Sequence, residues 1–187
     1  MKRQNTRERI LTTCRKLFNA RGPAAVTTAE IAESVGINEG NLYYYFKKKA
    51  DVVVALFDRF ADEQLEIAAH EKGLEGWFRL MWEWRFFYRD SATVYAMAPS
   101  LRPRLQRLSD TVQDYGRRRL HHMARRGQLN ATDEEIERLL VNAWIVSAYW
   151  IEYLQARHGI TRVTRKHLAW GYEQMEALFR PYLMERR

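Results

Sequence analysis

Cysteine, proline and glycine are all scarce in this chain of 187 residues. The single cysteine, Cys14, excludes an internal disulfide bond and is typical of a protein in a reducing compartment. With four prolines, nine glycines and almost no alternation of apolar and polar residues, the sequence predicts helices rather than strands. The fold class that we expect is therefore all-α.

A long apolar run is also missing. The most apolar stretch, 139–154, is shorter than a bilayer requires and is interrupted by Asn142, Ser147 and Glu152. The N-terminus lacks the basic and then apolar pattern of a signal peptide. We therefore expect a cytoplasmic protein with no membrane partner.

Residues that could support catalysis or metal binding do not form a recognisable pattern. The five histidines lack ligand spacing, and the adjacent pair His121 and His122 would point to different sides of a helix. Cys14 has no obvious neighbour that would activate its thiolate, and no glycine-rich loop follows a strand. The sequence predicts no enzyme, no metal site and no cofactor.

Positive charge is concentrated at the N-terminal end. The formal net charge is +8, and residues 1–50 contain ten Lys or Arg against four Glu. Basic proteins favour polyanions or anionic membrane surfaces, but charge alone does not decide between partners.

The segment 27–51 predicts two short helices joined by a tight turn. Thr27 and Glu30 have the spacing of a capping box, so Thr27 is expected to begin the first helix. Gly36 stands where this helix must end, because glycine adopts the left-handed conformation at low cost. Asn38 is a good cap for the second helix, whose inner face would carry Leu42 and Phe46.

The outward face of this second helix indicates a DNA contact. Small, amide and phenolic side chains occupy it, and three lysines follow directly. Amide and hydroxyl groups can meet base edges or phosphates in the major groove, and lysines neutralise the phosphate backbone. The segment therefore predicts a helix-turn-helix unit that binds double-stranded DNA.

This pattern resembles the TetR/AcrR family of bacterial transcription regulators. The resemblance covers about residues 6–57 and rests on Thr27-Thr28, Ile31-Ala32, Val35-Gly36-Ile37 and Leu42-Tyr43-Tyr44-Tyr45-Phe46-Lys47-Lys48-Lys49. It implies a DNA-binding domain at 1–50 and a helical regulatory and dimerisation domain at 51–187.

Residue chemistry and the resemblance together assign the DNA contacts. The resemblance implies backbone contact for Tyr43 and Lys49, and the chemistry of Asn41 and Tyr44 favours base contact. Glu39 departs from the lysine or arginine frequent at its position. The predicted DNA-binding residues are Thr27, Thr28, Glu39, Gly40, Asn41, Tyr43, Tyr44, Lys48 and Lys49.

The helix pattern outside this motif is simpler. We expect a first helix from about Thr6 to Arg21 and an aromatic helix from Trp77 to Tyr88, with Gly73 and Gly76 bracketing the boundary before it. Two long helices follow at Asp133–Arg157 and Thr164–Leu183.

A homodimer is expected because one three-helix unit reads only a few base pairs, whereas two can span a partly palindromic operator. The helix around Val141–Ile151 is apolar on more than one side, which fits either a dimer interface or a core helix. The predicted interface residues are Trp144, Ile145, Ala148, Ile151, Met175 and Leu178.

The C-terminal region is rich in aromatic residues, and the resemblance implies a small-molecule effector bound among them. Such residues are also common in ordinary cores. The predicted pocket residues are Trp82, Phe86, Tyr95, Met97, Trp144 and Tyr149. Glu83 or Glu152 would favour a cationic effector and Arg85 or Arg89 an anionic one; the sequence leaves both open.

Together these observations predict a sequence-specific regulator, expected to be a repressor relieved by a lipophilic or aromatic ligand. An alternative is a nonspecific architectural DNA-binding protein, in which an arginine-rich helix containing Arg102, Arg104, Arg107 and Arg117–Arg119 gives a second DNA-facing surface. Preference for an operator over random DNA, about 10³-fold or more, separates the two.

Overall fold

Helices account for nearly all of the regular structure. A computed structural model of the chain describes residues 2–70 and 73–184. Within these residues there are ten α-helices, a short 3-10 helix at Arg180–Tyr182 and one isolated bridge between Leu129 and Leu183. The α-helices are α1 Lys2–Arg21, α2 Thr28–Val35, α3 Glu39–Tyr45, α4 Lys49–Ala69, α5 Gly73–Glu83, α6 Arg85–Arg89, α7 Ser91–Met97, α8 Leu101–Arg125, α9 Asp133–His158 and α10 Arg165–Phe179. The all-α prediction is confirmed.

The chain divides into two compact units. Unit 1 contains the residues up to Glu63 together with Glu83–Leu105, and unit 2 contains Gln64–Trp82 and the residues from Gln106 onward. Unit 1 thus includes more of the chain than segment 1–50, and the functional boundary after residue 50 stays a prediction.

The core of unit 1 begins with α1, which packs on α2. Ile10, Cys14 and Phe18 are fully buried on α1, as is Ile31 on α2. Burial raises the pKa of the Cys14 thiol to about 12, because the apolar surroundings disfavour the thiolate. Cys14 is therefore a core residue, as its helical spacing indicates.

Two helix limits differ from the sequence-based prediction. Helix α1 begins at Lys2 rather than near Thr6, because Lys2, Arg3 and Gln4 are good helix formers and no breaker precedes Thr6. Helix α5 begins at Gly73 and contains Gly76, so these glycines do not bracket a boundary. An isolated glycine is tolerated in a helix at a cost of about 1 kcal/mol relative to alanine.

The predicted helix Trp77–Tyr88 is broken at Trp84. The side chain of Asn19 accounts for the break: its Nδ2 donates to the Glu83 carbonyl (2.8 Å), and its Oδ1 accepts from the Phe86 amide (3.2 Å). The Phe87 amide turns to the Trp84 carbonyl at 2.9 Å, one residue short of an α-helical bond. A side-chain amide on α1 thus replaces the regular hydrogen bonds at the α5–α6 junction.

Unit 2 is organised around α9 and α10, which pack against each other. A capping box between Thr132 and Glu135 begins α9, and Gly159 ends it with a φ of 64°. A tight contact involves Gly171 of α10, where an added Cβ would lie 2.6 Å from Trp150 Nε1 of α9 and 2.9 Å from Phe78 Cε1 of α5. Only glycine fits at this contact without movement of the two rings.

Candidate DNA-binding surface and effector cavity

The start of α2 is fixed by the predicted capping box. The Glu30 amide donates to Thr27 Oγ1 (3.2 Å), and the Thr27 amide donates to Glu30 Oε2 (2.9 Å). Arg21 also forms an ion pair with Glu30 at 2.8 Å. The hydrogen bond from the Thr27 backbone, followed by the one from Arg21, holds the pKa of the Glu30 carboxyl below its usual value.

The turn between α2 and α3 also follows the sequence signals. Gly36 has a φ of 74°, and the Ile37 amide donates to the Ala32 carbonyl at 3.0 Å. The side chain of Asn38 then accepts from the Asn41 amide at 2.7 Å and caps α3. Two helices joined by this turn form the predicted helix-turn-helix.

The two sides of α3 differ in chemistry. Leu42 is buried, and so is Phe46 directly after the helix, whereas Tyr44 is 54% exposed. The other exposed residues here are Glu39, Gly40, Asn41 and Tyr43. The predicted base-contacting side chains therefore share an accessible face above a well-packed core.

Tyr43 is paired with a residue of α2. Its hydroxyl lies 3.1 Å from Thr28 Oγ1, so the two hydroxyl groups share a hydrogen bond at the surface. Sequence reasoning proposed both as phosphate contacts but did not predict that they meet, because no local signal links residues 15 positions apart. This contact orients the phenol ring along the α2–α3 face.

The lysines after α3 have different environments. Lys48 is exposed, whereas Lys49 is half-buried and its Nζ donates to the Val26 carbonyl at 2.8 Å. Partial burial lowers the pKa of Lys49, and the charge of Glu30 offsets part of this effect. Lys49 thus links the start of α4 to the segment before α2, and Lys48 remains available as a surface cation.

A cavity of about 330 Å³ lies within unit 2. Helix α4 contributes Ile67 and α5 contributes Leu74 and Trp77, while α8 contributes apolar residues such as Leu120 and Met123. Its volume is near the lower end of the range, about 300–1,000 Å³, of typical small-molecule sites. The chain therefore has space for a compact organic ligand.

The cavity lining agrees with the predicted pocket at one residue only, Trp144. Phe86 is instead buried in unit 1 against Phe18, with ring centroids 5.5 Å apart. The remaining predicted residues, Trp82, Tyr95, Met97 and Tyr149, do not belong to this lining. The candidates for selecting ligand charge, Glu83, Glu152, Arg85 and Arg89, do not belong to it either.

An apolar face of α9 is exposed. Val141, Ile145 and Tyr149 follow one another at four-residue spacing, and Ile145 is 47% exposed. Trp144 is 37% exposed on the same side and lies 5.9 Å from the Tyr149 ring, centroid to centroid. The predicted interface residues Ala148 and Leu178 are partly buried.

Two predicted interface residues do not lie on this face. Ile151 is only 2% exposed and Met175 only 1% exposed, so both are core residues of the single chain. The sequence pattern gave no way to separate them from Ile145, because all three belong to apolar helices. The exposed apolar face is instead centred on Val141, Ile145 and Tyr149.

The residues that the structure describes contain neither a metal-ligand cluster nor a membrane-spanning helix. Within residues 2–70 and 73–184, no cluster of three or more His, Cys, Asp and Glu side chains is arranged to hold a metal ion. None of the helices in these ranges is both long and apolar enough to cross a membrane.

Comparison with known families identifies both halves of the chain. Residues 10–56 match the family profile described as bacterial regulatory proteins, tetR family, and residues 51–187 match the profile described as bacterial transcriptional repressor, TetR. The two matches together cover the helix-turn-helix and the helices that follow it.

Curated relatives match over a short segment of the chain. The transcriptional regulator TtgR of Pseudomonas putida is 42% identical over 55 residues, which are 29% of this chain and 26% of that protein. The regulator AcrR of Shigella flexneri is 33% identical over a segment of the same extent. The matched segment thus spans about a quarter of the length of these relatives.

Solved structures match over nearly the whole chain. A TetR-family regulator from Marinobacter aquaeolei has a TM-score of 0.84 at 26% identity, covering 95% of this chain and 91% of that one. A protein from Saccharomonospora viridis, solved in complex with choline, has a TM-score of 0.71 at 16% identity and covers 97% and 100% of the two chains. The second likeness concerns the fold alone.

Proposed function

This chain belongs to the TetR family of bacterial transcriptional regulators, and from that premise we propose that it is a sequence-specific repressor. Its operator is a partly palindromic duplex, and a small lipophilic molecule relieves the repression. Contact with chromosomal DNA requires a cytoplasmic location, which forms part of the proposal. Family membership assigns the chain to regulators rather than enzymes.

The observation that carries the proposal is the exposed face of α3. Asn41 and Tyr44 stand on it together with Gly40 of the first helical turn, while Leu42 is buried on the opposite side. An asparagine amide can form two hydrogen bonds with adenine in the major groove. Tyr43, Thr28 and Lys48 are the proposed contacts with the phosphate backbone, supported by their polar chemistry and by the surface contact between Tyr43 and Thr28.

Titration of the purified full-length protein onto DNA from upstream of its own gene tests this function. Asn41→Ala keeps the backbone amide that Asn38 caps and should lower the preference for the operator by about tenfold per half-site. Gln106→Ala, an exposed amide on α8, is the matched control and should bind as the wild type does.

Equal affinity of the wild type for the upstream DNA and for random DNA would contradict operator recognition at that site. Selection from random oligonucleotides would then decide between an operator elsewhere and the architectural alternative. An enriched palindrome supports the regulator, and no enrichment supports the architectural protein.

The arginines of α8 give the architectural alternative little support. Arg104 forms an ion pair with Asp58. Arg117 is bound to Glu137 through its Nε and to Asp114 through its Nη1, both at 2.5 Å. These carboxylates neutralise two of the six arginines that a second DNA-facing surface would use.

The exposed apolar face of α9 is the proposed homodimer interface. A contiguous apolar surface on a soluble protein marks an interaction site, and pairing of two copies would cover Val141, Ile145 and Tyr149. Ile145→Glu would place a charge in the centre of this contact. Sedimentation should show a monomer for this variant, whereas Ala177→Glu, on an exposed position of α10, should remain dimeric.

Ligand relief is proposed to act through α4. This helix supplies Ile67 and Ala68 to the cavity. It begins at Lys49, so it is continuous in sequence with the DNA-binding segment. A ligand can relieve repression only if it binds two states of the dimer with different affinity. The choline found in the Saccharomonospora protein is not the ligand we propose here, because none of the described residues that line this cavity is a carboxylate.

A further inference from the structure

The described residues around the cavity of unit 2 include several polar side chains but carry charge of one sign only. Among the described residues that line it, Arg119 is the only charged one, and none is an aspartate or glutamate. The other contributors are mainly apolar, among them Ile67, Leu120 and Met123. The cavity therefore combines an apolar wall with a single positive charge.

Trp77 adds a hydrogen-bond donor to this wall. Its Nε1 is buried, and no acceptor contacts it within the part of the chain that the structure describes. A buried N–H group without a partner costs free energy, and most such groups in folded proteins are satisfied. The indole N–H of Trp77 is therefore suited to an acceptor that a ligand brings into the cavity.

Arg119 differs from the arginines beside it on α8. Arg117 is held by Glu137 and Asp114, and the guanidinium of Arg118 lies 4.7 Å from the centre of the Tyr115 ring. Among the residues that the structure describes, Arg119 has no ion-pair partner. Its guanidinium remains available for an anionic group, which it can bind through two parallel hydrogen bonds.

We propose that the effector is an apolar molecule with one carboxylate, bound by Arg119 and accepting a hydrogen bond from Trp77. The claim that this molecule regulates DNA binding rests on the proposed function, whereas the claim that it binds in the cavity does not. A cavity of about 330 Å³ fits a medium-chain or two-ring acid. A quaternary cation in this cavity would be repelled by the Arg119 guanidinium, and none of the described lining residues is a carboxylate that would offset this repulsion.

Calorimetric titration of the full-length protein without DNA tests the ligand class. The probes are octanoate, octanol and octyltrimethylammonium, which share one apolar chain, and the pair naphthoate and naphthylmethanol, which share one ring system. We expect at least one carboxylate to bind about tenfold tighter than its alcohol. This ratio is at the low end for a charge-assisted hydrogen bond, because Arg119 is exposed to solvent, which weakens its attraction for an anion.

Three variants identify the groups responsible. Arg119→Gln should bring the carboxylate down to the affinity of its alcohol, and Arg118→Gln, with the same change of charge one position away, should leave the preference intact. Trp77→Phe keeps a smaller aromatic ring at this position and should weaken binding of the carboxylate about threefold or more by removal of the donor. Circular dichroism checks that each variant is folded.

Several outcomes would overturn the proposal: saturable binding of neither carboxylate, equal binding of acid and alcohol, preference for the cation, or an unchanged preference in Arg119→Gln. Release of operator DNA is measured separately. Carboxylate binding without release would retain the ligand class and refute its regulatory role, whereas absence of operator binding would refute the proposed function alone.

Discussion

Replacing Lys48 by alanine is expected to reduce the salt dependence of DNA binding. The side chain is exposed, and the backbone amide, which donates to Asp51 Oδ2 at 3.1 Å, is retained in the variant. The start of α4 should therefore be unchanged. Any effect on DNA binding would then come from the lost charge rather than from the fold.

The magnitude follows from the proposed dimer. Each neutralised phosphate contributes about 0.9 to the slope of log affinity against log salt, so loss of two lysines should reduce the slope by about 1.8. The affinity gap between wild type and variant should then widen about 60-fold when salt is lowered about tenfold. A monomer on DNA would give about half of this change in slope.

Fluorescence anisotropy with labelled operator over a series of salt concentrations measures both slopes. Lys166→Ala removes the same charge from an exposed position in α10 of unit 2 and should leave the slope unchanged. If Lys48→Ala retained the wild-type slope, Lys48 would not contact phosphate. The proposal that the residues after α3 face the phosphate backbone would then be wrong.

Three further predictions concern stability and reactivity. Gly171→Ala should lower the free energy of unfolding, measured by thermal denaturation, by about 1–3 kcal/mol, because overpacking against Trp150 outweighs the gain in helix propensity. A stabilised variant would instead show that the Trp150 ring moves aside at little cost. Because the folded-state pKa of Glu30 is lowered, its contribution to stability is present above its unfolded pKa and is lost as pH falls through the folded pKa. Glu30→Gln should therefore unfold with a weaker pH dependence below about pH 4 than the wild type, and an identical acid transition would exclude this role. Cys14, with its pKa raised to about 12, should react with a thiol reagent at pH 8 only upon unfolding, and rapid labelling of the native protein would contradict its burial.

The helix-turn-helix could be predicted from sequence because its signals are local. Thr27 and Glu30 cap one helix, Gly36 ends it and Asn38 begins the next, all within a dozen residues. The break at Trp84 could not be predicted, because it depends on Asn19, a distant residue that contacts Glu83 and Phe86.

The cavity could not be predicted for a related reason. Its wall is assembled from several helices, and both Phe86 and Trp144 are aromatic residues of helical segments, yet Phe86 is buried in unit 1 and Trp144 lines the cavity. The sequence likewise could not show that Tyr43 meets Thr28, or that Lys49 reaches the Val26 carbonyl. These contacts depend on tertiary packing rather than on spacing along one helix.

Trp144 both lines the cavity and forms part of the exposed face of α9. In a dimer formed through that face, a ligand that shifts this indole ring would also alter the surface offered to the second protomer. Linkage then requires that dimerisation change ligand affinity by the same factor. Ligand affinity should therefore depend on protein concentration in the range where monomer and dimer coexist, so the midpoint of a ligand titration should shift as the protein is diluted.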